Sequence, residues 1–314
     1  MTTTAWPGHY TPADATLIER MRAWMDERKY SQASLARLAR ISSSSLNQIL
    51  KGSYATSPSK LLANVESAMR NFDEGGRDTS VAVETSVYKM AFAACSMARR
   101  YRNFAVFSGF VGTGKTFALK RYARKNPNTF LIEATPTMTP QSLVRLLSRT
   151  VVGVDAKGSI DDKFRAVVDA LRNTDSLLIV DEAETLTPHQ LHTLRRLRDL
   201  ANIGIVLAGT EYLAGLIKPE RGQFDQIRSR CGFWPETVRG ITEDDAAALV
   251  QANLGTEEVP DAVVQRLYAH SRGSARMLVE GLLAGLKEFR RGRPLSVALV
   301  DSVAKDALCL QSAA

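Results

Sequence analysis

The stretch Gly109-Phe-Val-Gly-Thr-Gly-Lys-Thr116 constrains this chain more than any other. It matches the phosphate-loop pattern of Gly, four residues, Gly, Lys and Ser/Thr without a departure. That pattern works between a buried strand and a helix, where glycines turn backbone N–H groups inward on a polyphosphate and the helix N-terminus adds partial positive charge. Both flanks comply. Residues 103–108 form a short apolar, β-favouring run, and Phe117 to Lys125 carry helical spacing. The nucleotide-binding stretch is therefore read as Gly109, Val111, Gly112, Thr113, Gly114, Lys115, Thr116 and Phe117. Lys115 is placed to reach the β- and γ-phosphates of ATP, and the Thr116 hydroxyl to ligate Mg²⁺.

Ser176-Leu-Leu-Ile-Val-Asp-Glu182 is an apolar strand ending in two adjacent carboxylates. A Walker B segment takes this form. Asp181 orients Mg²⁺ and its water ligands, while Glu182 polarises a water for in-line attack on the γ-phosphate.

The 314 residues suffice for two or three domains, and the formal net charge of +8 favours an anionic partner, nucleic acid first. Cys95, Cys231 and Cys309 lie far apart without metal-ligand spacing, which reads as reduced thiols in a cytoplasmic protein. No run approaches the ~18 apolar residues of a membrane span, and the N-terminus lacks a signal-peptide pattern, so no membrane partner is expected.

In chain order, residues 1–11 read as a loose arm. Short helices follow to Phe72, with Leu17, Ile18, Met21, Trp24 and Met25 on one face of the first and Leu46, Ile49 and Leu50 inward on the third. Two of them, joined by a tight turn near Arg40 to Ser42, resemble a repressor-type helix-turn-helix over a 1–72 domain. Its second helix would present Ser43, Ser44, Asn47, Gln48 and Lys51 to double-stranded DNA. Such small hydroxyls bond phosphates or bases but discriminate poorly, favouring weak or nonspecific contact; a small helical bundle used for protein contact is the alternative. Residues 73–84 read as a charged, glycine-containing linker.

Residues 85–240 alternate helices with apolar strands at 103–108, 129–133, 176–181 and 203–208, implying a parallel sheet with helices on both faces and ligands at the strands' carboxyl ends. Thr210, just past the fourth strand, stands where a hydroxyl can sense the catalytic water, and a capping role fits it equally well. Arg145 and Arg149 share one helix face and, with Lys157 and Lys163, are candidates for a basic DNA-phosphate track; a solvated face fits Arg145 and Arg149 equally well. Residues 241–314 lose the strand pattern and read as a helical lid.

The phosphate loop, Asp181-Glu182, Thr210, Ile227-Arg-Ser-Arg-Cys231 and Gly273-Ser-Ala-Arg276, in that order, resemble an AAA+ ATPase: an α/β P-loop NTPase core with a small helical lid. The resemblance makes Thr210 sensor 1, Arg276 sensor 2, and Arg230 the arginine finger that completes a neighbouring subunit's site, with Arg228 as the rival. Within AAA+ proteins, the domain order and the runs LLIVDEAE and RGSARMLVEG are similar to phage transposition B proteins and related transposon target-selector ATPases. That family implies an ATPase that coats duplex DNA nonspecifically as a helical filament, delivers target DNA to a transposase and stimulates strand transfer, with hydrolysis promoted by DNA and transposase. A helicase loader built on the same core and a nucleotide-switched transcriptional regulator are the competing readings.

Overall fold

The computed structural model describes residues 6–310 except 29, 40, 76–82, 155, 173, 218–224, 256–257 and 291. Four helices come first: α1 (Pro12–Glu27), α2 (Gln32–Leu38), α3 (Ser43–Lys51) and α4 (Ser59–Gly75). Their starts are dictated locally. Thr11 and Asp14 form a capping box on α1, and the Ser31 and Ser42 side chains accept from backbone N–H groups at the starts of α2 and α3. Gly52 ends α3 in the left-handed region at φ 69°. Ile18, Met21, Leu35, Leu46, Ile49, Leu62 and Val65 are fully or almost fully buried in a core of their own.

The segment before α1 is no loose arm from Trp6 onward. Trp6 stacks on Tyr10 at 5.4 Å, Tyr10 is buried, and its hydroxyl accepts from the Tyr54 backbone. These large rings cover the top of the helical core, which their sparse aliphatic neighbours did not suggest. Helix α4 continues to Gly75, past the expected end at Phe72, while most of the expected linker lies outside the described residues, as does Arg40 in the α2–α3 turn.

The second unit starts with α5 (Ser86–Tyr101) and alternates β1 (Phe104–Ser108), α6 (Lys115–Lys125), β2 (Thr129–Glu133), α7 (Pro140–Val152), α8 (Ile160–Leu171), β3 (Leu177–Asp181), α9 (Pro188–Ala201) and β4 (Gly204–Gly209). Then come α10 (Glu211–Ile217), α11 (Asp225–Arg228) and β5 (Cys231–Phe233). The five strands pair in parallel in the order β2-β3-β4-β1-β5. Strands β1, β3 and β4 are buried at every position, as central parallel strands covered on both faces must be. The edge strand β5 was not foreseen. Its three residues are half-buried or exposed and lack an apolar run.

Side chains alternate across the sheet. Phe104, Val106, Leu178, Val180, Ile205 and Leu207 join α7, α8 and α9 on one face. Ala105, Phe107, Leu177, Ile179, Val206 and Ala208 face α5, α6 and the C-terminal helices α12 (Glu243–Leu254), α13 (Asp261–Ser271), α14 (Ala284–Phe289) and α15 (Val297–Ser302). The C-terminal helices thus share one continuous core with that face of the sheet.

The helical N-terminal unit touches the sheet unit through α2. The Arg37 guanidinium lies 4.6 Å over the Phe130 ring and donates to Asn128 Oδ1 and to the Val151 carbonyl. Ser34 Oγ donates to the same Asn128 oxygen at 3.2 Å. Among the described residues no helix is long and apolar enough to cross a membrane. The three cysteines are unpaired, Cys95 deep in the core and Cys309 exposed.

Candidate nucleotide site

Strand order places the site. The phosphate loop leaves β1, the Asp181-Glu182 pair ends β3, and β4 runs between them, so Thr210 emerges between Lys115 and Asp181. Gly112 and Gly114 adopt φ of 79° and 98°, conformations that an L side chain rarely takes, and these turn the loop onto the N-terminus of α6. Thr113 is buried and its hydroxyl donates to the Phe110 carbonyl, locking the loop. Gly109 packs its Cα against Val238, where a Cβ would come within 2.8 Å of the valine Cβ.

Lys115 is buried, and its Nζ donates to the carbonyls of Gly109 at 2.7 Å and Phe110 at 2.8 Å. Burial lowers its pKa. Asp181, Glu184 and Glu211 pull it back up, and Arg276 opposes them. The Thr116 hydroxyl donates to Asp181 Oδ2 at 2.7 Å, joining the two motifs directly. A hydroxyl and a carboxylate in contact are the hard-oxygen donors that Mg²⁺ takes while keeping several of its own waters.

Glu182 turns out of the strand line in the left-handed region at φ 54° and is exposed. Partial desolvation first, then Glu133, Asp181 and Glu184, push its pKa above the ordinary glutamate value. Glu133 stands beside Asp181 in the β2–β3 register. Thr210 Oγ1 is buried without a hydrogen-bond partner among the described residues, as are Glu184 Oε2 and Glu211 Oε2.

The 273–276 segment, which precedes the π-helical stretch Met277–Leu283, covers the loop. The Arg276 backbone N–H donates to the Gly112 carbonyl at 2.9 Å, and Ser274 sits so close that a Cβ on Gly112 would fall 2.4 Å from its Oγ. Arg276 itself is largely exposed, 3.9 Å from Glu280. A cavity of about 410 Å³ opens here, lined by Gly112 to Phe117, by Arg276 and Glu280, and by Thr85, Tyr88, Leu249 and Asn253 further along. It is the size and shape class of a small-molecule site.

Of the expected members, Gly109, Val111, Asp181, Glu182, Thr210 and Arg230 are not among the residues that line this cavity. The Val111 side chain is 68% exposed outside its lining. Arg230 lies at the other end of the sheet. Its carbonyl accepts from Phe104 at the start of β1, one strand length of about 15 Å from the phosphate loop. Its guanidinium pairs with Asp199 at 3.1 Å, whereas Arg228, at the end of α11, is exposed.

The DNA candidates occupy separate surfaces. Ser43, Ser44, Asn47, Gln48 and Lys51 are exposed on α3, Arg145 and Arg149 on α7, and Lys157 in the following loop. Lys163 is half-buried with its Nζ on the Ala156 carbonyl, so it also braces that loop.

Sequence reasoning missed Glu184, Glu211 and Ser274 as members of the site, whereas it reads Thr85 to Tyr101 as a helix that could pack near the base, and Thr85 and Tyr88 line the cavity. Glu184 was visible as the last residue of the DEAE run, but an acid there acquires meaning only when β4 brings Gly209 against it.

Residues 98–217 match the AAA domain family. The chain is 28% identical to the Mu-like prophage FluMu DNA transposition protein B of Haemophilus influenzae, over 84% of this chain and 94% of that protein. It is 33% identical to the ATP-dependent target DNA activator B of Escherichia phage Mu over 40% of this chain and 41% of that one. Among solved structures, the ORC1 protein of Aeropyrum pernix in complex with DNA shares the fold with a TM-score of 0.51, 18% identity, and coverage of 73% of this chain and 67% of that chain. The ADP form of ORC2 from the same organism matches with a TM-score of 0.51, 20% identity, and coverage of 68% and 67%. The order β2-β3-β4-β1-β5, with the phosphate loop after β1 and the acidic pair after β3, is thus that of a P-loop AAA+ fold. The chain carries an AAA domain and is homologous to the transposition B proteins of phage Mu and a Mu-like prophage.

Proposed function

We propose that this protein is an ATP-dependent DNA-binding ATPase that assembles on duplex DNA, selects it as a transposition target and delivers it to a transposase in the bacterial cytoplasm. The observation that carries the reading is the Thr116–Asp181 hydrogen bond beneath a glycine-turned loop, an arrangement suited to a nucleoside triphosphate, in a chain homologous to an ATP-dependent target DNA activator.

In this reading the backbone N–H groups from Gly112 to Thr116 bind phosphate oxygens, and Lys115 exchanges its loop carbonyls for the β- and γ-phosphates. Thr116 and Asp181 hold Mg²⁺, which when bound neutralises charge on the phosphate oxygens. Glu182 orients the attacking water and takes its proton, with its raised pKa suited to a base. Thr210 positions that water through its unpartnered hydroxyl. Arg276 reaches the phosphates from above.

Arg230 lies too far from its own phosphate loop to act there, so it serves a neighbouring subunit, leaving Asp199 to do so. A guanidinium supplied in trans stabilises charge on the transferring phosphoryl group and ties hydrolysis to assembly. The hydroxyl-rich face of α3, read as the second helix of a helix-turn-helix, and the α7 arginines contribute sequence-tolerant phosphate contacts, and affinity should fall steeply with salt.

Negative-stain electron microscopy with random-sequence duplex DNA tests the reading. ATP-dependent filaments, absent with ADP and in Lys115→Ala and Arg230→Ala, support it. Discrete rings without DNA favour a helicase loader, and nucleotide-independent binding at one sequence favours a transcriptional regulator.

A further inference from the structure

We infer that Asn253 makes this site select adenine, by accepting a hydrogen bond from the exocyclic amine of the base. The inference rests on the reading of the cavity as a nucleotide site, and names the residue that chooses the base.

The cavity has two chemically different ends. At the phosphate-loop end, backbone N–H groups, Lys115 and Arg276 supply positive charge. At the other end Val83, Tyr88, Leu249 and Val279 present apolar walls of the kind that hold a flat aromatic base. The Tyr88 ring is fixed there. It stacks on Phe92 with centroids 4.3 Å apart, and Lys125 Nζ donates to its hydroxyl at 3.2 Å.

Few polar side chains reach this end. The Thr85 hydroxyl oxygen already accepts from the Tyr88 backbone as the cap of α5. Glu280 is 73% exposed and pairs with Arg276 at 3.9 Å. Asn253 remains, and its amide is oriented: Nδ2 donates to the Leu249 carbonyl one turn back at 2.8 Å. That bond leaves Oδ1 as an acceptor with no partner among the described residues, on a side chain that lines the cavity.

An oriented carbonyl oxygen discriminates purines by their position 6. Adenine offers an amine donor there, whereas guanine and hypoxanthine offer a carbonyl that opposes Oδ1. A site built around one hydrogen bond rejects the analogue that leaves its polar group unpaired. A single neutral bond corresponds to roughly a 3- to 10-fold preference, and the carbonyl–carbonyl clash adds to it.

The test uses the full chain and measures equilibrium binding of three triphosphates: adenosine, purine riboside (no amine) and inosine (carbonyl). The wild-type protein should bind ATP about 3- to 10-fold tighter than purine riboside triphosphate, and inosine triphosphate most weakly. In Asn253→Ala, and in the near-isosteric Asn253→Leu, ATP affinity should drop to that of purine riboside triphosphate while the latter stays unchanged. Equal wild-type affinities for these two, or an ATP preference that survives both substitutions, overturns the inference while leaving the nucleotide site intact. Because the wild-type analogue series needs no variant, a misfolded substitution does not shield the idea. If no triphosphate binds, or if Lys115→Ala weakens none of them, the reading of the cavity falls and this inference with it.

Discussion

The buried carboxylate of Asp245 joins the two walls of the base end of the cavity. Its Oδ1 accepts from the Ser86 backbone at 2.8 Å, and its Oδ2 accepts from the Ser86 hydroxyl at 2.5 Å and from the Thr242 backbone at 3.0 Å. It thereby ties the first turn of α5, which carries Tyr88, to the first turn of α12, which carries Leu249 and Asn253. Asp245→Ala removes all three bonds. A hydrogen bond to a charged group contributes about 1.5–3 kcal/mol and a lost capping partner about 1 kcal/mol. Ser86 is only half-buried and water recovers part of its bonding, so the expected loss is about 3 kcal/mol. For a unit of this size that lowers Tm by about 6–12 °C.

Urea titration at pH 7 measures the loss, and Asp245→Asn should recover about half. The pH dependence has a definite sign. Burial pushes the Asp245 pKa up, but the bonds from Ser86 and Thr242 outweigh burial and hold it below the ordinary aspartate value. A depressed pKa stabilises the fold fully above the unfolded-state value near ~3.9 and loses that stabilisation as pH falls through the folded-state value. The gap between wild type and Asp245→Ala should stay constant down to about pH 4 and close below it. A loss under about 0.5 kcal/mol at pH 7, the scale of an unremarkable surface substitution, would refute the reasoning.

Three further outcomes follow from the geometry. Glu133→Gln removes a charge that raises the Glu182 pKa, so the acid limb of the ATPase rate profile should move to lower pH; an unmoved limb contradicts Glu182 as the base. Arg37→Ala should cost about 1–2 kcal/mol of coupling between the helical unit and the sheet unit, read by calorimetry as separation of one unfolding transition into two; an unchanged single transition argues against the α2 contact. Gly112→Ala forces a side chain to φ 79° and into Ser274, and should weaken nucleotide binding at least tenfold by titration, so wild-type affinity in this variant would count against the loop's role.

Much of this fold is legible because its signals are local. The strands that end at the site read as apolar runs because central parallel strands are covered on both faces, and the phosphate loop reads because only glycine tolerates its turns. The inward faces of α1 and α3 follow directly from helical spacing, with Ile18, Met21, Leu46 and Ile49 all fully buried. What stayed hidden depends on contacts distant in the chain. Strand β5 is strand only because β1 offers it an edge. Glu184 meets Gly209 across two strand ends, and Asp245 meets Ser86 across more than half the chain. Asn253 looks like any polar residue on α12 until the cavity forms around it.

Fluorescence anisotropy of a labelled random-sequence duplex, at one fixed salt concentration, tests the central claim most directly. The account predicts tight binding with ATP, weak binding with ADP or without nucleotide, and no ATP effect in Lys115→Ala. Equal affinity under all three nucleotide conditions, or a Lys115→Ala protein that still responds to ATP, would contradict it.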